Sequence, residues 1–498
     1  MSWPHRSAPA HGDDDHLRSL GYEPELVRRM TGFGNFAVSF SVISVLSGCM
    51  TLFGFGLVTG GPAVMMWGWV AVGLAVLLVG LALAEVTSAY PTSGGLYYMA
   101  QRLGGPRWAW VTGWLNLLGL LGGIAGIDYG AASFIAAFAG LQWGVTPTPG
   151  LILAIFAGVL VLHALLNVLG VRVVSLLNSI SVWWHLLGVA VIVGVLAAIP
   201  SHHQSPSWVF THFSNDTGWS SPVYVSAIGL LLAGYTFCGY DASAHLSEET
   251  KDARVAAPRG IVRAIWASLL TGFVLLAGLL FSVQDYNGTA AAAVPPAQIF
   301  LDAVGTDGAK LLLLIVIGAQ LFCGSAETTA ASRMIYAVAR DGALPGSAMW
   351  RRVSPAGVPV AAVWLAVSVA FVLAMPSLWS ATAYGAITAV NVIGMTPSYV
   401  LPVFLRLRQG ARFVPGPWNL GRWSRPVGIA AVAWVVVLTV LVCLPQRTPV
   451  TATAFNYAPV TLLVVLALAW AWWRLAGSKF SVPVVNDPHL ARVETQIV

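Results

Sequence analysis

Asp128, His163, His185, Asp241, Glu327 and Arg333 are all ionisable, and each sits inside a run of residues apolar enough to enter a bilayer. A charged side chain in hydrocarbon is costly, and residues of this kind mark ion paths, proton relays or substrate sites. Carboxylates and imidazoles exchange protons, a histidine near pH 6.5 when unperturbed. The chemistry on offer is therefore binding and proton exchange. An enzyme would need a nucleophile and a base at one depth, and the scattered His163, His185, Asp128 and Glu327 lack that spacing. No G-x-x-x-x-G-K-[ST] loop is present to drive a pump with ATP. Cys49, Cys238, Cys323 and Cys443 have no zinc-type spacing and read as small packing residues.

The elements that must position these groups are membrane helices. Of 498 residues 57% are hydrophobic and 9% charged, with a mean hydropathy of +0.77; soluble domains carry about 25% charged residues. Apolar runs that match about 30 Å of hydrocarbon fall at about 33–58, 63–89, 108–140, 150–170, 176–200, 222–246, 259–284, 309–339, 358–376, 379–407, 426–445 and 454–475. Each boundary is good to about 2–4 residues. With the N-terminus inside, every Lys and Arg except Lys310 and Arg447 falls on the inner side, as the positive-inside rule requires. That places both termini in the cytoplasm. The net charge of +6 is then topological, and no nucleic-acid partner is expected. The polar N-terminal stretch lacks the layout of a signal peptide and reads as a cytosolic tail.

Two spans break the rules for a membrane helix. In the sixth, Gly234, Gly239 and Asp241 interrupt the apolar run, and in the first, Ser44, Ser47, Gly48 and Thr51 lie mid-span. Non-helical backbone at that depth is tolerated where it faces protein or a water-filled cavity. A helix broken at Ser47-Gly48 would aim free N–H groups at a carboxylate, and the carbonyls ending its first half would suit an ammonium. The two broken spans hold matching places in two runs of five helices, the pattern of an inverted-repeat transporter.

Three motifs carry a resemblance: LAEVTSAYPTSGGLYYMAQRLGG (83–105), FCGYDASAHLSEETKDARVAAPRGI (237–261) and TAASRMIYAVARDGALP (329–345). They resemble signatures of the amino acid, polyamine and organocation (APC) transporter superfamily, most of all its amino acid/choline branch with the GABA permeases. The resemblance implies an all-α LeuT-type fold of ten core helices, as two inverted repeats of five, plus two further helices. The expected organisation is a cytosolic tail (1–31), a twelve-helix domain (32–476; repeats at about 33–200 and 222–407, extra helices at about 426–475) and a second tail (477–498).

The resemblance also implies roles. Ser44, Val45, Leu46, Ser47 and Gly48 in the first span, with Tyr235, Phe237, Cys238 and Gly239 in the sixth, match the substrate site; Leu46 stands where many relatives have Gly, so the break is placed only within the zone Ser44 to Cys49. Gly239 is the expected hinge. His185 falls near a position where proton-coupled relatives carry a lysine, so His185, Asp241 and Glu327 are candidates for coupling or proton relay. Sodium, the alternative ion, would draw on Thr328, Thr329 and Ser332. Glu85, Glu248, Glu249, Arg254, Arg340 and Asp341 read as an inner gate or helix caps, with Pro258 in the first turn of the seventh helix. The segment 91–95 reads as a turn or short re-entrant stretch.

The expected function is secondary active transport of an amino acid or related amine such as GABA across the plasma membrane, by alternating access and with proton coupling. No cofactor or metal is expected, only a coupling ion. The partners are a small-molecule substrate and the lipid bilayer; oligomeric state leaves no trace in the sequence. The alternatives are a choline or polyamine transporter with an aromatic cage such as Tyr235, Tyr240 and Trp183, a sodium symporter, or a nutrient sensor built on the same fold.

Overall fold

The computed structural model describes residues 11–20, 28–355, 357–379, 383–451, 454–477 and 480. The chain is all-helical, with no strand among the described residues. A short helix α1 (His11–Ser19) precedes the first broken span, which comprises α2 (Gly32–Ile43), α3 (Val45–Thr51) and α4 (Phe53–Val58). Next come α5 (Gly61–Ala89), α6 (Gly95–Gly104), α7 (Pro106–Trp143), α8 (Pro149–Val168), α9 (Val171–Ala198) and the short α10 (Pro206–Thr211). The second broken span is α11 (Pro222–Gly229), α12 (Leu231–Thr236) and α13 (Ala242–His245). The chain continues through α14 (Ala253–Phe281), α15 (Tyr286–Ala291), α16 (Pro295–Arg340), α17 (Ser347–Trp350), α18 (Val360–Ala374), α19 (Ala383–Gln409), α20 (Ser424–Cys443) and α21 (Ala458–Ala476).

Eleven helices among the described residues are long and apolar enough to cross a membrane, and the sixth expected span supplies only the shorter apolar stretch Pro222–Thr236. The breaks are written into the residues. Thr31 caps α2, its hydroxyl accepting from Gly34 N–H at 3.1 Å; Ser221 and Pro222 open α11 in the same way. Burial sorts the layers. In the apolar window of Gly32–Thr51, 89% of residues are buried, against 11% in Ala458–Ala476. The broken helices are therefore central, with α2 packed on α9, α14 and α16, whereas α21 lies outside against α7 and α19.

Several expectations need correction. The seventh helix starts at Ala253, which puts Pro258 inside α14 instead of in its first turn. A proline there leaves the carbonyl four residues back without its helical donor. The carbonyl of Arg254 instead accepts from the Ser88 hydroxyl at 2.7 Å, which ties α5 to α14. α16 begins at Pro295, before the expected 309, and Gly305 at φ 71° interrupts it. The 91–95 segment is a turn, and the unforeseen α6 follows it. Trp183 and Trp184 are 59% and 38% exposed on the outer surface of α9, so Trp183 is no part of an aromatic cage.

At the face of the bundle that carries α1, the charged motifs close the structure. Arg333 pairs with Glu249 at 3.0 Å, both buried. Glu248 accepts from Ser93 N–H at 2.7 Å and lies 4.0 Å from Arg340, which also approaches Asp341 at 3.8 Å. Arg28 joins Asp14 at 3.0 Å and donates to the carbonyls of Ser247 and Thr250. His16 docks α1 on the Ala89 carbonyl at 3.3 Å; burial and the nearby Arg254 charge lower its pKa. Arg254 joins no ion pair among the described residues. Glu85 pairs with Arg406 at 3.3 Å and accepts from the Ser424 hydroxyl, which staples α5 to α19 and α20. The opposite face is open: a vestibule of about 520 Å3 is lined in part by Thr51, Val58, Ser133, Tyr384, Gln446 and Arg447.

Candidate functional site

The first break is at Ser44, not at the Ser47-Gly48 pair. Ser44 adopts the left-handed conformation (φ 31°, ψ 87°) between α2 and α3. Its carbonyl accepts the N–H groups of Ser47 and Gly48, both at 2.9 Å, so those two amides are committed within α3. A left-handed serine is uncommon and needs local support. The support is visible. Ser44 Oγ accepts from Ser47 N–H at 3.2 Å and meets His185 Nε2 at 2.6 Å. The other ring nitrogen, Nδ1, faces the Ser181 carbonyl at 2.7 Å. A carbonyl only accepts, so Nδ1 carries the proton and the neutral ring takes the Ser44 hydroxyl at Nε2. Among the described residues no carboxylate contacts the ring, which meets Phe40 in a T-shaped arrangement with centroids 5.9 Å apart.

The second break runs from the end of α12 to the start of α13. Gly239 lies at φ 97°, as a hinge there requires, and its N–H donates to Tyr399 Oη at 2.8 Å. Tyr399 in turn donates to Asp241 Oδ1 at 3.0 Å. Asp241 Oδ2 takes Asn116 Nδ2 at 3.2 Å and His245 Nε2 at 3.0 Å. The carboxylate thus accepts from three helices and holds the turn in shape. The two breaks also bind each other: Ser39 Oγ donates to the Tyr240 carbonyl at 2.7 Å, and Asn35 Nδ2 to the Ser243 carbonyl at 2.9 Å.

Between the breaks lies a small, mostly closed cavity. Val42, Ile43, Ser47 and Gly48 line it from the first break, and Tyr235, Thr236, Cys238 and Gly239 from the second. Gly123 and Ile127 of α7, Cys323 and Glu327 of α16 and Asn391 of α19 complete the wall. Ser47 Oγ, Tyr235 Oη and Glu327 Oε2 are buried with no hydrogen-bond partner among the described residues. Buried polar atoms are rarely left unpaired, and three around one cavity are suited to a polar ligand. Gly48 permits the close approach of α3 to α12, since a Cβ there would come 2.6 Å from the Thr236 side chain.

The expected residues thus divide. Ser47, Gly48, Tyr235, Cys238, Gly239 and Glu327 share the cavity, and Ser44 acts behind it. Val45 and Leu46 are buried away from its wall, and Phe237 turns onto Trp69, with ring centroids 4.4 Å apart. Tyr240 stacks on Tyr399 at 4.5 Å. Asp128 pairs with His163 at 2.9 Å, both fully buried, against Gly324. The α16 hydroxyls considered for sodium are engaged: Thr329 donates to Asn167 Oδ1 at 2.6 Å, Thr328 to the Gly324 carbonyl and Ser332 to that of Thr329. The sequence reading missed Gly123, Ile127, Asn391, Asn116 and Tyr399. The two asparagines in apolar spans were the available signal.

The amino acid permease family model matches residues 29–467. The chain belongs to the amino acid permease family. This permease is 39% identical to the amino-acid permease BAT1 of Arabidopsis thaliana over 94% of its own length and 96% of that protein. It is 30% identical to amino-acid permease 2 of Neurospora crassa, covering 98% and 92% of the two chains. With the GABA-specific permease of Saccharomyces cerevisiae it shares 29% identity over 95% and 86%. The permease is accordingly a multi-pass membrane transporter of the APC superfamily and not an enzyme.

The Ser44 contact yields a first expectation. Replacing His185 by Ala removes a buried acceptor worth about 1–3 kcal/mol and frees the permease's first break. Substrate affinity, measured by radioligand binding to the detergent-solubilised protein, is expected to fall about tenfold or more. Unchanged affinity would show that Ser44 keeps its conformation without the imidazole.

Proposed function

We propose that this permease is a proton-coupled secondary transporter that moves amino acids, including GABA-like ones, across the plasma membrane by alternating access. The observation that carries the reading is the cavity between two broken helices, with unpartnered polar atoms on its wall. The amino acid lies between the breaks. Its carboxylate faces the start of α3 around Ser47 and Gly48, its ammonium faces the carbonyls near Tyr235 and Cys238, and Tyr235 covers it. The architecture is the LeuT type, twelve helices with two inverted repeats at about 33–200 and 222–407 and two extra helices, flanked by tails at 1–31 and 477–498. Both tails are cytoplasmic, as the placement of Lys and Arg supports.

In that orientation the ion pairs around Arg333, Glu249, Arg340 and Glu248 close the cytoplasmic side, and the vestibule opens outward. Tyr384, whose hydroxyl donates to the Gly126 carbonyl at 3.2 Å, stands between vestibule and cavity. The proton is carried among His185, Asp241 and Glu327. Sodium is the alternative ion: the Thr328, Thr329 and Ser332 hydroxyls donate to protein acceptors and keep their oxygen lone pairs.

The experiment is uptake of radiolabelled alanine, arginine and GABA into proteoliposomes holding the purified protein, under imposed proton or sodium gradients. Accumulation driven by an inward proton gradient is expected. Uptake of none of the three sinks the transport reading, and accumulation driven by sodium alone replaces the ion. A His185→Ala variant that still concentrates substrate under a pH gradient removes His185 from the coupling set.

A further inference from the structure

Among the described residues Glu327 is the one carboxylate on the cavity wall, and no Lys or Arg lines that wall. Its side chain is 1% exposed, and Oε2 lacks a partner among the described residues. It lies over Gly123 of α7, where an added Cβ would collide with Oε1 and sit 2.9 Å from Asn391 Nδ2. The absent side chain at Gly123 is what lets the carboxyl reach the cavity.

Every other charged or titratable group near it is accounted for. Asp128, on α7, is paired with His163 of α8. Asp241 is held by His245, Tyr399 and Asn116. Arg333, further along α16, is paired with Glu249. Tyr235, Tyr384 and Cys323 face the same region, and as neutral groups they supply no positive charge. Glu327 therefore has no countercharge among the described residues. A charge sealed from water without a partner is strongly disfavoured, so the countercharge must arrive with the ligand or as a proton.

We infer that Glu327 balances the charge of the transported complex: as a carboxylate it binds the side-chain cation of a cationic amino acid, and as a neutral acid it carries the proton that travels with a zwitterion. The inference rests on the reading of this cavity as the substrate site. With a cation of net charge +1 the occluded complex is neutral without an added proton. With a zwitterion it is neutral only when Glu327 has taken one proton from water on the loading side, which it returns to water on the release side. One site thereby accepts both substrate classes and couples them differently to the proton gradient.

The test uses the purified protein in proteoliposomes with a pH-sensitive dye, comparing L-arginine with L-alanine and GABA. Alanine and GABA uptake should each move a proton, whereas arginine uptake should move positive charge and no proton. Glu327→Gln, close to isosteric, should lower kcat/KM for arginine about a hundredfold, the effect of truncating one partner of a buried charge pair. Alanine exchange in that variant should persist at a reduced rate without proton movement. Arginine transport by Glu327→Gln at the wild-type kcat/KM overturns the inference. Equal proton movement with arginine and alanine in the wild type, or uptake of zwitterions without any arginine, also overturns it. If Glu327→Gln loses all exchange, Glu327→Asp decides: arginine transport with Asp supports the inference, and its loss there overturns it. Wild-type protein that transports none of the three compounds refutes the transport reading itself, a result distinct from all of these.

Discussion

Arg333→Met is expected to cost about 3–5 kcal/mol of stability, because it strands the buried carboxylate of Glu249 without its partner. Arg333 is 1% exposed and its Nε lies 3.0 Å from Glu249 Oε1. The pair joins α16 to the segment after α13, the same segment that Arg28 grips through the carbonyls of Ser247 and Thr250. Removing both charges together, as in Arg333→Met with Glu249→Leu, should restore most of the loss, since buried ion pairs replaced by apolar groups are often neutral in stability. Thermal unfolding of the detergent-solubilised protein measures this. The single variant should melt far below the double variant, and equal melting temperatures would show that Glu249 finds another partner. In proteoliposomes the double variant should also leak towards the face that carries α1, because no charge pair then closes it at this point.

Gly239→Ala is expected to abolish substrate binding. At φ 97° an L-residue is strained by about 1–2 kcal/mol, and the added Cβ would run into the side chain of Val42 at the other break. The residue cannot move aside, because its N–H is fixed by Tyr399, which Asp241 holds in turn. Relieving the clash means separating the two breaks that form the cavity wall. Gly158→Ala is the control. It lies in α8 with nothing within 4 Å of the added atom and should bind substrate normally, slightly stabilised by about 1 kcal/mol of helix propensity. Normal binding by Gly239→Ala in the same radioligand assay would show that the turn tolerates a different backbone.

How much of the site could be read in advance is clear from particular residues. Gly239 was legible as a break in the helix because glycine takes a positive φ at no steric cost. Glu327 and Asp241 stood out because a carboxylate in an apolar run has few structural excuses. The zone Ser44 to Cys49 could not be narrowed to Ser44 from the sequence, since Ser47-Gly48 is the better local candidate within it. The decision came from His185, far away in sequence, whose imidazole takes the Ser44 hydroxyl and steadies the left-handed turn. Pro258 looked like a helix start for the same kind of reason. The Ser88 hydroxyl that satisfies the carbonyl of Arg254 belongs to another helix, and it allows the proline to sit inside α14.

The sequence by itself determined that this chain lives in a membrane, roughly where its spans begin and end, which two spans break, and its family. Those properties follow from local composition, because hydrocarbon demands about 20 apolar residues per helix and tolerates Gly, Ser or Asp only where something repays them. Only the tertiary structure decided what each intramembrane charge does. Asp241 accepts from Tyr399 beside the second break, Arg333 pairs with Glu249 and Glu327 alone of the three lines the cavity. These roles depend on which side chain of a distant helix lies within about 3 Å, the length of a hydrogen bond, and no local pattern in the chain encodes that distance.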